Sequence, residues 1–142
     1  MADSTIKFDT DTIRGINTFE EITGVDVKDA IVTDNQAYFV VEEGKAGLAI
    51  GKGGKTIKKV QNNLNKDVKV FEYSDSLKEF VENVIPASVN QVRFDRSGDE
   101  KTVTVDVNRN DRSRAVGSDG KNVDVLQRFL KREFEVDAVT VR

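Results

Sequence analysis

A short glycine-lysine signature occurs twice in this chain, as Ile50-Gly51-Lys52-Gly53-Gly54-Lys55 and as Val116-Gly117-Ser118-Asp119-Gly120-Lys121. The copies lie 66 residues apart, and each opens a stretch with helical periodicity. A glycine-x-x-glycine turn at a helix start lets a phosphate backbone approach main-chain N–H groups, because glycine has no Cβ and the helix N-terminus attracts anions. Two such turns favour a tandem nucleic-acid reader over a single catalytic site.

The same offset of 66 relates much of the first half of the chain to the second. Ala49 corresponds to Ala115, and the strand-like run 37–41 corresponds to 103–107. Helically spaced apolar residues also correspond: Ile57, Val60 and Leu64 with Val123, Leu126 and Leu130. The chain is therefore predicted to contain two copies of one folding unit.

Each half is predicted to follow the order α-β-β-α-α-β, an α+β fold with a three-stranded sheet covered by helices on one face. In the first half we expect a helix over 10–23 ended by Gly24, and strands over 26–33, 36–42 and 67–72. In the second half we expect a helix over 76–85 and strands over 88–95, 101–108 and 137–141. The predicted domains are 1–73 and 74–142, with Asp75 or Ser74 as the cap of the second domain's first helix.

Charge is distributed unevenly along the chain, although the net charge is only −3. Residues 1–44 hold ten acidic and three basic side chains. The segments 45–69 and 109–132 hold seven basic side chains each, against one and three acidic ones. The basic segments contain the two glycine turns, so the local potential there favours a polyanion.

Several classes of function are disfavoured by composition and spacing. The chain has no cysteine and no histidine, which removes thiolate chemistry, the commonest metal ligand and the commonest general base. A nucleotide-binding P-loop would need glycine at Ala49, and the second copy has Asn122 where the magnesium-binding hydroxyl belongs. We therefore expect that the protein is not an enzyme and that it uses no metal, cofactor or small-molecule substrate. We also expect a cytoplasmic location, because the sequence has no apolar run of about 20 residues and no signal peptide.

These residues resemble KH domains of the type II topology, whose GXXG loop joins two helices and clamps about four nucleotides of single-stranded nucleic acid. Gly51-Lys52-Gly53-Gly54 and Gly117-Ser118-Asp119-Gly120 match that loop. Two such domains filling the chain resemble the archaeal NusA-like transcription factors. The resemblance implies single-stranded RNA binding in transcription termination, pausing or antitermination.

The RNA-binding residues expected from the loops and their basic neighbours fall into two sets. The first set is Lys45, Ile50, Gly51, Lys52, Gly53, Gly54, Lys55, Lys58 and Lys59. The second set is Arg112, Arg114, Gly117, Ser118, Asp119, Gly120 and Lys121. Ile50, Ile57 and Val41 could offer apolar walls to the bases or could equally belong to the core, with the core favoured for Ile57. Because Asp119 brings a carboxylate to a phosphate-facing loop, we expect the first domain to contribute more affinity.

Other interpretations of the same residues stay open. The glycines of either loop could serve only to make a sharp corner between two helices. The KH fold could also be a protein-interaction module that binds RNA polymerase, another transcription factor or a ribosome-associated factor, with RNA secondary. The acidic segment 1–44 would suit such a protein-facing surface.

Overall fold

A computed structural model describes residues 9–142, and the first eight residues of the predicted first domain lie outside this range. The chain divides into two compact units, Met1–Ser74 and Asp75–Arg142. Each unit has its own three-stranded mixed sheet. Within the described range, no helix is long and apolar enough to cross a bilayer.

The first unit has the predicted element order. Its helices are α1 (Thr10–Thr23), α2 (Ala46–Ile50) and α3 (Lys55–Leu64), and its strands are β1 (Val27–Val32), β2 (Gln36–Val41) and β3 (Asp67–Glu72). The strand order is β1-β2-β3, with β1 antiparallel and β3 parallel to the central strand. A parallel neighbour needs a crossover connection, and the α2–loop–α3 segment between β2 and β3 provides it.

Helices pack on one face of the first sheet. The Phe19 ring of α1 stacks on Phe39 of β2 with centroids 4.4 Å apart, and Ala49 and Val60 are fully buried in the same cluster. On the opposite face Tyr38 stacks on Phe71 of β3. Since Ala49 and Val60 belong to α2 and α3, the core fixes both helices that flank the glycine turn.

The second unit repeats this architecture with different element lengths. Its elements are α4 (Leu77–Val84), β4 (Val89–Ser97), β5 (Glu100–Val107), α5 (Arg112–Val116), α6 (Lys121–Phe134) and β6 (Ala138–Val141). The sheet order is β4-β5-β6, again antiparallel then parallel. Val103, Val105 and Val107 are buried while the residues between them are half-buried, which is the pattern of a strand with one core face.

From the central strands, the offset of 66 holds as far as Leu64 at the end of α3 and Leu130 within α6. Gln36 pairs with Asp67, but Thr102, 66 positions after Gln36, pairs with Ala138. The shift arises because α6 has 14 residues and α3 has 10, and because the connection from α6 to β6 is one residue longer than the connection from α3 to β3. An additional helical turn therefore separates the second glycine loop from its closing strand.

The predicted cap of the second unit's first helix is wrong by one residue. Ser76, rather than Asp75 or Ser74, is the N-cap of α4, with extended backbone angles and a hydroxyl that accepts from Glu79 N at 3.3 Å. Only the residue with extended backbone at the helix start can turn its oxygen towards the first-turn N–H groups. The C-cap of α1 is confirmed, since Gly24 has a left-handed φ of 71°.

Candidate nucleic-acid interface

The two glycine loops have the same backbone conformation. Gly51 and Gly117 have φ/ψ of 78°/169° and 81°/168°, and Gly54 and Gly120 have 76°/14° and 72°/19°. At the third loop position, Gly53 has 63°/19° and Asp119 has 55°/28°. Each loop joins a five-residue helix to a long one. The loops therefore differ in side chains and not in shape.

The first glycine of each loop is required by packing against the following helix. A Cβ on Gly51 would lie 2.3 Å from the Thr56 Oγ1 and 2.9 Å from the Thr56 N. A Cβ on Gly117 would lie 2.9 Å from the Asn122 Nδ2 and 3.0 Å from the Asn122 N. At this position, the glycine makes the corner between the two helices.

Replacing Gly51 by alanine is expected to destabilise the first unit by about 3 kcal/mol, because its backbone angles are nearly restricted to glycine and the added methyl meets a backbone nitrogen. Gly53→Ala is the matched control, with a positive φ but no atom within 4 Å, and should cost about 1 kcal/mol. Urea unfolding of the two variants measures the difference. Equal stabilities would contradict the packing role of Gly51.

The outer part of each loop, by contrast, is open. Nothing lies within 4 Å of a Cβ placed on Gly53 or Gly120, and Gly54 would meet only Ile57 Cγ2 at 3.9 Å. Lys52 and Gly53 are exposed, as are Ser118 and Asp119. A ligand can therefore reach the backbone at these positions without displacing a side chain.

The N-terminus of α3 lies directly beneath this open backbone. Its N-cap is Gly54, which has no side chain to accept from the first-turn N–H groups, and Gly120 has the same position before α6. The first N–H groups of a helix have no acceptor within the helix, and the helix dipole gives them partial positive charge. The N–H groups of Gly54 and Lys55 already donate to the carbonyls of Gly51 and Lys52, so an approaching anion meets chiefly the partial positive charge of the helix N-terminus.

Five exposed lysines lie in the first loop or close to it in sequence. They are Lys45, Lys52, Lys55, Lys58 and Lys59. None of them forms an ion pair within residues 9–142. Their charge is therefore not neutralised by a direct ion pair, although Lys45 lines a pocket together with Asp26 and Glu42.

The second loop has a less positive setting. Lys121 and Arg112 are exposed and have no ion pair in the described part of the chain. Arg114, by contrast, has its Nη2 2.8 Å from the Asp111 Oδ1 and donates from Nε to Pro86 O at 2.8 Å. The exposed Asp119 carboxylate lies in the loop itself. Arg114 is thus held by its own unit, which leaves two cations to offset Asp119.

The three residues predicted as possible apolar walls differ in how far they are exposed. Ile50 is 40% exposed beside the loop, as a wall requires. Val41 is fully buried, so of its two predicted positions the core is the observed one, because the central strand is covered by packed side chains. Ile57 packs against the core cluster, as favoured. Sequence inspection missed Leu48 of α2, which is 63% exposed, because a five-residue helix is too short for periodicity to show which side faces solvent.

Two contacts that sequence inspection did not find hold the loops in place. The Glu72 carboxylate at the end of β3 accepts from Ala46 N, the first residue of α2, at 3.1 Å. In the second unit Asn122 Nδ2 donates to Arg114 O of α5 at 3.0 Å. Both contacts join elements on either side of a loop, so they restrict where the loop can sit.

A loop with the GXXG pattern between two helices, within an α-β-β-α-α-β unit, defines a KH domain, and the KH domain family matches residues 14–82. The relatives in Methanocaldococcus jannaschii and Methanococcus vannielii are both described as probable transcription termination protein NusA. The Methanocaldococcus jannaschii protein is 31% identical over 137 residues, which cover 96% of this chain and 75% of the relative. The Methanococcus vannielii protein is 38% identical over 120 residues, which cover 84% of this chain and 69% of the relative. The chain belongs to this NusA family, whose members are non-enzymatic transcription factors.

Two further comparisons agree with this membership. The Halococcus morrhuae protein of the same description is 34% identical over 129 residues, covering 89% of this chain and 91% of the relative. The crystal structure of APE1850 matches with a TM-score of 0.82 at 35% identity, covering 95% of this chain and all of that one. The predicted α+β fold with tandem KH-type units is thereby confirmed.

Proposed function

We propose that this protein binds single-stranded RNA in the cytoplasm, through the first glycine loop above all, and acts in transcription termination, pausing or antitermination. In this proposal the predicted segments 1–73 and 74–142 are two KH domains of unequal affinity. RNA polymerase and other transcription factors are further partners. Family membership supports the link to transcription, and the geometry of the loops supports the mode of binding.

The observation that carries the proposal is the open N-terminus of α3. Gly53 and Gly54 leave the loop backbone uncovered, and five exposed lysines without direct ion pairs lie in the loop or close to it in sequence. A phosphate diester fits this setting, because it accepts hydrogen bonds from N–H groups and carries one negative charge for the nearby ammonium groups. The bases would lie beside Ile50, whose exposed side chain offers an apolar contact.

The differences between the two loops suggest how much each domain contributes to RNA affinity. The second loop keeps the backbone shape and an uncapped helix N-terminus, so it can still approach a phosphate. Asp119 opposes that approach electrostatically, and Arg114 is engaged with Asp111. We propose that the first domain provides most of the binding free energy and that the second holds the strand more weakly.

Binding should weaken steeply with salt. Contacts with about four to six phosphates predict a slope of about −3 to −4 for log K against log salt on a single strand. Fluorescence anisotropy of a labelled RNA, titrated at several potassium chloride concentrations, measures the slope. A slope near zero would contradict backbone clamping, since burial of bases alone releases no counterions.

A comparison of single-stranded and duplex RNA tests the function itself. A random-sequence strand of about 12 nucleotides exceeds the roughly four that one KH groove holds. We expect binding of this strand and much weaker binding of the same strand annealed to its complement. Failure to bind either RNA, together with retention of purified RNA polymerase, would favour the protein-interaction alternative.

A further inference from the structure

The edge strand β4 of the second unit is unusually long and exposed. It has nine residues where β1 of the first unit has six, and every residue from Arg93 to Ser97 is exposed. Phe94 is 50% exposed, although it pairs with Val103, whose side chain is buried in the core. An exposed aromatic ring on an edge strand is a feature of surfaces that bind another chain.

The exposure of Phe94 follows from a difference between the two units. The equivalent residue of the first unit is Val32, whose Cγ2 lies 3.2 Å from the position of a Cβ on Gly15, so α1 covers it. In the second unit the corresponding helix α4 has 8 residues, against 14 in α1. The shorter helix combines with a longer strand, and the end of this sheet face at Phe94 stays open.

The regular part of β4 is symmetric about Phe94. A register irregularity lies between Val89 and Gln91, and the turn to β5 begins after Ser97. The uninterrupted segment is therefore 91–97, and Phe94 is its midpoint. In the strand order β4-β5-β6 one edge of this segment has no strand of residues 9–142 beside it.

The hydrogen-bonding direction of this edge can be deduced from the turn. Ser97 and Glu100 pair across two intervening residues, and such a flanking pair exchanges both backbone hydrogen bonds. Pairs in an antiparallel ladder alternate, so Ser97, Asp95 and Arg93 bond towards β5. The N–H and C=O groups of Val92, Phe94 and Arg96 then point away from the sheet, where they can pair with another strand.

The charges on β4 match those of a second copy of the same strand. From this match and the free edge we infer that two copies of the protein pair antiparallel through β4, with a two-fold axis at Phe94, and form a continuous six-stranded sheet. In this register Arg93 lies opposite Asp95 of the second copy, and Asp95 lies opposite Arg93. The two Phe94 rings meet at the axis and cover each other. An isologous contact of this kind closes after two subunits.

Neighbouring registers are disfavoured by the same charges. An axis at Arg93, Asp95 or Arg96 would place that residue opposite its own copy, so that like charges face each other. An axis at Val92 would pair Arg93 with Gln91 and lose both ion pairs. The alternating charges therefore prevent indiscriminate edge pairing and leave one favourable register.

Complementary single variants test this dimer. Arg93→Asp makes both residues acidic and Asp95→Arg makes both basic, so neither variant should pair with itself, while an equimolar mixture restores both ion pairs. Sedimentation velocity should show the unmodified protein shifting from monomer towards twice that mass between about 10 µM and 1 mM, as expected for a small interface. Each variant alone should stay monomeric, and the mixture should regain the shift.

Two outcomes would overturn the inference. One is an unmodified protein that stays monomeric over the whole range, and the other is self-association that either single variant leaves unchanged. Circular dichroism of each variant controls for folding, because Arg93 lies 3.4 Å from Asp106 within its own sheet. Phe94→Ser tests the axis without changing charge and should reduce the association at least about 10-fold. RNA binding is not part of this test, so its result is independent of the proposed function.

Discussion

Replacing Lys52 and Gly53 together by aspartate is expected to weaken single-stranded RNA binding by about 100-fold, because the change removes one cation and places two carboxylates against the phosphate. Both residues are exposed and neither contributes to the buried core. The loss should appear in the dissociation constant at low salt and should shrink as salt screens the added charge.

The double variant should keep its fold, because the second loop already has an aspartate at the position equivalent to Gly53. Asp119 already adopts, at the equivalent position, a left-handed conformation of 55°/28°, close to the 63°/19° of Gly53. No atom lies within 4 Å of a Cβ on Gly53. Aspartate tolerates this region better than most residues, so unchanged circular dichroism and a small change in melting temperature are expected.

Ser118→Asp provides the matched control. It gives the second loop the same two aspartates, at the same backbone geometry, as the double variant gives the first. If the first loop provides most of the affinity, Ser118→Asp should weaken RNA binding by only about 3-fold, the effect of one charge near a minor contact. Equal losses would contradict the unequal roles of the loops, and a double variant that binds RNA normally would refute the clamp.

The converse change should improve the weaker loop. Ser118→Lys with Asp119→Gly reproduces the sequence of the first loop on an almost identical backbone. It removes the carboxylate, adds a cation and allows close approach of phosphate. On an RNA long enough to reach both domains, we expect binding to tighten by about 10-fold, since the second contact forms at a high effective concentration.

Asp119→Asn separates the two parts of this gain. Asparagine also tolerates a positive φ, so it removes the charge without adding the open backbone of glycine. Most of the tightening should persist in Asp119→Asn if repulsion is the cause. If the double variant binds RNA more tightly but Asp119→Asn binds it only as well as the unmodified protein, the gain comes instead from the added lysine and from access to the backbone. No gain in any of these variants would mean that RNA does not reach the second loop.

Much of the fold could be predicted because local signals and tertiary packing agree. The helix over 10–23 was predicted at its observed bounds, since Ile16, Phe19 and Ile22 lie on the core side and Gly24 ends it, although Ile13 is 48% exposed. The helix–loop–helix segments could be predicted because both copies retain glycines at the same positions, and few backbone conformations require glycine. The paired loops were also predictable as unequal, because the carboxylate of Asp119 is visible in the sequence.

Other features depend on the third dimension. The role of Gly51 as a corner against Thr56, and the burial of Val41, follow from packing that no periodicity reveals. The hydrogen bond from Arg114 Nε to Pro86 O links residues 28 positions apart. The exposure of Phe94 arises because α4 is shorter than α1 while β4 is longer than β1. A comparison of the two halves at a constant offset does not show these differences in length.

In the proposed complex, the open backbone at the start of α3 contacts RNA. NMR measurement of the protein's amide chemical shifts, while a short single-stranded RNA is added, tests this contact. We expect the amides of 52–56 to shift most and those of 118–122 to shift less, at the same RNA concentration. Shifts concentrated elsewhere, with the amides of 52–56 unchanged at saturation, would contradict it.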